Sequence, residues 1–268
     1  MHEETTPESP GSESPVPSAL PSRDGRASDD RPAFYAARPG GWRDWWTLLH
    51  PPYTAWHLAY VVIGAALAPR VHLGWLAASV VAFFLAVGVA AHALDELNGR
   101  PLRTRISSAA LVTVAVAGLA GAVGLGAAGI VRTGWGLLPF MVAGPTLVVA
   151  YNAELFGGLV HTDLGFAAAW GAFPVLTGYV AQTGRLAVAP VLAAAAALGL
   201  SAAQRCLSTP ARTLRRRTVH VEGSITLADG QVMALDGQRL LAPLEQALRA
   251  MSWGIVLLAA ALATARLA

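Results

Sequence analysis

The residues best equipped for chemistry come in three polar groups, each set between apolar runs. The first, AAHALDELNGRPLRTRIS, carries His92, Asp95, Glu96, Asn98, Arg100 and Arg103. His92, Asp95 and Glu96 fall at i, i+3 and i+4, so a helix continuing that far places all three on one face. The second, YNAELFGGLVHTDLGF, adds Tyr151, Asn152, Glu154, His161 and Asp163. The third, SAAQRCLSTPARTLRRRT, adds Gln204, Arg205, Arg212 and the run Arg215, Arg216, Arg217. Acids such as Asp95 and Glu96 hold Mg2+ through oxygen, and guanidinium groups clamp phosphate bidentately. Together the groups suit a diphosphate. A plainer use is also open, in which the arginines set membrane topology and bind anionic lipid while the acids pair with them.

These groups interrupt a chain that is 54% hydrophobic and 13% charged, far from the balance of a soluble domain. A hydrocarbon core about 30 Å thick takes about 20 apolar residues per helical crossing. The apolar runs are continuous rather than alternating, which favours helices over a closed barrel. About seven crossings are expected, near residues 53–68, 73–91, 106–131, 135–151, 164–180, 186–203 and 251–267. Glycine and alanine crowd the third and sixth of these, which permits close helix approach. The fold class is an all-α polytopic transmembrane bundle with one small β segment.

Short connections make crossings 1 and 2, 3 and 4, and 5 and 6 antiparallel hairpins, so all three polar groups lie on one side of the membrane. Arginine placement orients the bundle, because cytoplasmic loops hold the excess positive charge. With the N-terminus inside, only Arg70, Arg132, Arg185 and Arg266 of the 19 basic residues face out. The expected location is therefore a cell membrane, with a cytoplasmic N-terminus and the polar groups on the cytoplasmic face.

Residues 1–40, rich in Ser, Pro, Asp and Glu, read as a disordered tail rather than a signal peptide. Residues 41–268 form the transmembrane domain. Trp42, Trp45, Trp46, Tyr53 and Trp56 read as an interfacial anchor for the first crossing. Residues 218–237 alternate β-branched and polar residues between turn signals and predict a small cytoplasmic hairpin. Residues 242–250 predict a short interfacial helix with Glu245 and Arg249 at i and i+4. The single cysteine, Cys206, excludes an internal disulfide. No nucleic-acid partner is expected.

The segment LLHPPYTAWHLAYVVIGAALAP, the polar end AAHALDELNGRPLRTRIS and a second polar helix end roughly 110 residues later resemble the UbiA superfamily of intramembrane prenyltransferases. The resemblance covers about residues 42–217. It implies a lipid-open helical cavity with two aspartate-rich motifs at its cytoplasmic mouth, binding an isoprenoid diphosphate through Mg2+. The family's first motif, N-D-x-x-D-x-x-x-D, superposed on Asp95 places Ala91 at the Asn, His92 at the first Asp and Gly99 at the last. In place of the second motif stands QRCLSTPARTLRRR, without an acid.

The resemblance thus implies transfer of an isoprenoid chain from an allylic diphosphate to an aromatic or lipid acceptor. Asp95, with Glu96 and Asn98, would hold one Mg2+, and Arg100, Arg103, Arg205 and Arg212 would stabilise the departing diphosphate. Two other classes stay open. One is a non-catalytic prenyl-lipid-binding or scaffold protein. The other is an intramembrane metalloenzyme using His92, Asp95, Glu154, His161 and Asp163 as ligands.

Overall fold

The computed structural model of the protein describes residues 31–267. Its elements in chain order are helices α1 (Trp42–Leu48), α2 (Pro51–Ala66), α3 (Leu73–Leu97), α4 (Ser108–Thr133), α5 (Trp135–Asn152), α6 (Asp163–Thr183) and α7 (Val188–Arg216), strands β1 (Gly223–Thr226) and β2 (Val232–Leu235), and helix α8 (Gly237–Leu267). Helices α3 to α8 are the six, among the described residues, long and apolar enough to cross a membrane.

Helix α2 is the expected first crossing. At 16 residues it is shorter than these six, and its rise is about 24 Å. Pro51 and Pro52 start it at the positions where a missing N–H costs nothing. It is the most enclosed of the helices, flanked by α6 and α8. Trp56, Tyr60, Ile63, Val175, Ala197, Ile255 and Ala259 form the core it shares with α6, α7 and α8.

The contact between α2 and α6 is backbone against backbone. A Cβ added at Gly64 would stand 2.0 Å from the carbonyl oxygen of Val175, and one at Gly178 would stand 2.2 Å from that of Val61. Such reciprocal glycines let two helices approach where no hydrophobic force drives them together in lipid.

Two helices are widened by π-helical turns, α3 over Phe84–Ala91 and α6 over Ala168–Ala172. Such insertions are rare and concentrate at functional sites.

The hairpin forms as expected, antiparallel with Gly223 opposite Leu235 and Thr226 opposite Val232. Two expectations change. The separate helix over 242–250 and the last crossing are one 31-residue helix, α8. Asp236 accepts the Arg239 N–H at 2.8 Å and so caps its start. Of the expected 1–40 tail, residues 1–30 lie outside the described residues, and residues 31–40 are packed. Ala33 and Ala36 are buried, the Ala37 N–H donates to Thr47 Oγ1 at 3.0 Å, and the Gly40 N–H donates to Asp44 at 2.9 Å.

Candidate functional site

At the arginine-rich end of the bundle, the ends of α2, α3, α5, α6 and α7 surround a polar cavity of about 300 Å3. Ten of the residues in the three polar groups line it: His92, Asp95, Tyr151, Asn152, His161, Gln204, Arg205, Arg212, Arg215 and Arg216. The polar groups of three distant segments thus meet at one place. The long α7 does much of this, because Arg205, Arg212 and Arg216 at i, i+7 and i+11 share a helix face.

Glu96 is not among the lining residues. It is fully buried, and its carboxylate accepts from the Leu102 N–H, the Thr104 N–H and the Thr104 hydroxyl, each at 2.9 Å. The turn at Gly99 and Arg100, both at positive φ, brings those donors back over the end of α3. Glu96 therefore holds the 98–107 loop together, with both oxygens engaged and its side chain away from the cavity. Arg100 likewise binds the loop, donating to Ile106 O and, at 2.8 Å, to Ser108 Oγ. Asn98 donates to Glu154 at 3.3 Å on the outside of the protein, and Arg103 is exposed.

Arg205 pairs with Asp163 at 2.8 Å and lies over the Phe166 ring. Arg215 forms a salt bridge with Glu245, which also meets Arg249 at 3.6 Å. Arg212 and Arg216 line the cavity together with Asp95. Their hydrogen bonds go to Thr209 Oγ1 at 3.3 Å and Pro32 O at 3.0 Å respectively. Two buried polar atoms in the lining, Tyr151 OH and Gln204 Oε1, have no partner in the protein. A buried polar atom left alone costs about 1–3 kcal/mol, so both atoms are open to a water or a polar ligand.

Four histidines also line the cavity, and two of them, His50 and His57, were not singled out as site residues from the sequence. All four are held in the same way. Nδ1 lies 2.7 Å from Leu48 O in His50, 2.9 Å from Trp170 O in His57, 3.1 Å from Gly88 O in His92 and 2.9 Å from Tyr151 O in His161. A carbonyl only accepts, so each Nδ1 carries a proton, and Nε2 is the nitrogen left to face the cavity's other groups. Gly88 and Trp170 belong to the two π-helical turns. The rings of His50 and His92 stack 4.1 Å apart. His50, outside the apolar helices, is pushed well below the ordinary histidine pKa by burial and then by His92. The signal that could have found these two is the spacing in HPPYTAWH, which puts His50, Tyr53 and His57 at i, i+3 and i+7 on one helix face.

A second cavity, about 380 Å3 and lined almost wholly by apolar side chains, lies among α3, α4, α5 and α6. It shares Val87 and Trp170 with the polar cavity. Among the described residues no three histidine, cysteine or acidic side chains converge to hold a metal ion by themselves. No protein family model, no curated protein and no solved structure matches this chain.

Proposed function

We propose that this protein is a divergent UbiA-like intramembrane prenyltransferase. In this reading it has seven crossings, α2 included, a cytoplasmic N-terminus and its polar cavity at the cytoplasmic face. It binds an allylic isoprenoid diphosphate and transfers the chain to a hydrophobic acceptor. The observation that carries this is the adjacency of a polar and an apolar cavity that share Val87 and Trp170 in their linings, a pairing that matches the charged head and apolar chain of an isoprenoid diphosphate.

The diphosphate lies against Arg212 and Arg216, with Arg205 at the rim, and takes charge-assisted bonds from them. Tyr151 OH and Gln204 reach the same head group. The isoprenoid chain passes Trp170, whose ring shields the reacting carbon from water, and fills the apolar cavity. Mg2+ binds commonly through one or two carboxylates plus substrate phosphates. With Glu96 committed to its loop, Asp95 is the residue that would hold it, and the ion would add charge neutralisation at the leaving group.

The test is binding of radiolabelled farnesyl diphosphate to purified protein. Arg212→Gln removes bonds of about 1.5–3 kcal/mol, so affinity should fall roughly tenfold to hundredfold at saturating Mg2+. Unchanged affinity in Arg212→Gln and Asp95→Asn together would remove the reading and leave a lipid-binding scaffold.

One observation favours a second reading, an intramembrane metalloenzyme. Metal-ligating histidines characteristically donate their other ring nitrogen to a carbonyl or carboxylate, as all four cavity histidines do. Of the ligands first considered, the cavity gathers His92, Asp95 and His161, while Glu154 and Asp163 bind Asn98 and Arg205 instead. Imidazoles suit zinc, iron or copper rather than Mg2+. Tight transition-metal binding lost on His92→Ala, with farnesyl diphosphate ignored, would establish it.

A further inference from the structure

The roof of the polar cavity is a piece of the chain's own N-terminal region. Pro32, Ala33, Phe34 and Tyr35 line it alongside the histidines and arginines. Residues 32–35 are themselves neither helix nor strand and are held from three directions. Arg216 Nε donates to Pro32 O at 3.0 Å, and Arg215 Nη1 approaches Arg31 O at 3.4 Å. Phe34 lies edge-on to Tyr53 and beneath the Arg249 guanidinium, 4.8 Å from its ring centroid. Tyr35 packs against His50 and Tyr53. Downstream, Ala37 and Gly40 are tied to Thr47 and Asp44 of α1, so one end of the segment is fixed.

We propose that residues 31–36 form a strap that occupies the anion site and must release Arg216 before an anionic head group can take its place. The proposal rests on the reading of this cavity as the seat of a diphosphate. The chemistry is one of exchange between acceptors. A main-chain carbonyl holds Arg216 as a neutral partner. A phosphate oxygen carries charge, and hydrogen bonds between ions are about twice as strong as those involving neutral partners.

The strap's other anchors include the Arg31 carbonyl on Arg215, the ring contacts of Phe34 and Tyr35 and the cation–π contact with Arg249. None of these is a hydrogen bond within a helix, so breaking them leaves the helical backbone intact. The fixed hold on α1 keeps the strap beside the mouth after it leaves. The docked strap lowers apparent affinity by the fraction of molecules in which it is closed.

The experiment is hydrogen exchange at the amides of residues 33–36 in the full-length protein, with no ligand, with inorganic pyrophosphate and with farnesyl diphosphate, beside the same measurements on Phe34→Ala. Both anions should speed exchange in the wild type. Phe34→Ala should exchange fast without ligand and bind farnesyl diphosphate about tenfold more tightly. Slower exchange on ligand binding, or unchanged or weaker affinity in Phe34→Ala, overturns the strap while leaving the diphosphate reading in place. Faster exchange with both anions, but no gain in affinity from the farnesyl chain, supports the strap and removes the isoprenoid reading. Neither anion binding removes both.

Discussion

His57 and Trp170 are 113 residues apart in the chain, and Nδ1 of the one lies 2.9 Å from the main-chain oxygen of the other. This bond crosses from α2 to the π-helical turn of α6, so it sets both the tautomer of the histidine and its aim. His57→Phe should keep the ring volume and lose the bond and the second ring nitrogen. Its main effect should fall on ligand binding or turnover, with a stability loss of about 1–3 kcal/mol from the carbonyl left alone. Thermal unfolding and farnesyl diphosphate binding, measured side by side, check the split.

Glu96 and Asp95 are neighbours with separate duties, and their variants should separate accordingly. Glu96→Ala strands three donors and should lower stability by about 3 kcal/mol or more, with Glu96→Gln recovering part of the loss. Asp95→Asn should leave the unfolding temperature nearly unchanged and abolish the Mg2+ dependence of diphosphate binding. Equal instability in both variants would contradict this division.

His50 makes the stability depend on pH. Its folded pKa is depressed below 6.5 by burial, so the unfolded chain takes up the proton first as pH falls. Stability is then undiminished above about 6.5 and declines below it. The ring is faced by His92, Arg212, Arg216 and Tyr35, none of which offers it a negative charge. His50→Asn suits the residue's left-handed backbone, φ 46° and ψ 57°. The variant should flatten the decline seen in unfolding temperature between pH 7 and pH 5.

The glycines give a paired test of packing. Gly64→Ala forces α2 away from α6 and should cost at least about 1–3 kcal/mol. Gly199→Ala on α7 meets nothing within 4 Å and should be neutral or stabilising. Unfolding temperatures in detergent decide between them.

At the junction of the cavities, Val87→Phe should reduce farnesyl diphosphate affinity about tenfold or more while sparing inorganic pyrophosphate, if the chain passes this point. Parallel loss of both ligands would place the block at the head group instead.

Much of the site was legible because a polar residue among apolar ones is conspicuous. His92, Asp95, Tyr151, Gln204 and Arg212 announced themselves in this way, and the long apolar runs marked the helices that bring them together. Glu96 misled because its i+4 spacing from His92 says nothing about a loop that folds back on it. His50 and His57 were passed over because the surrounding tryptophans and tyrosines read as a membrane anchor. The roof at Phe34 and Tyr35 was hidden in a stretch whose composition is that of a tail. Glycine content drew attention to the third and sixth crossings, whereas the closest backbone approach belongs to Gly64 and Gly178, a matter of pairing that no single helix reveals. The π-helical turns have no signature in hydrophobic period at all.

Those turns make the cavity-lining face of α3 a question of phase. A wide turn is an α-helix with one residue too many, and each residue of an α-helix is worth about 100° of rotation. Deleting a single residue between Phe84 and Ala91 would relax the helix to ordinary winding and swing His92 and Asp95 about a quarter turn round the axis, off the cavity and toward a neighbouring helix. The same holds for Trp170 on α6. Gain or loss of one codon in either stretch would then dismantle the polar cavity without changing any of the residues that line it.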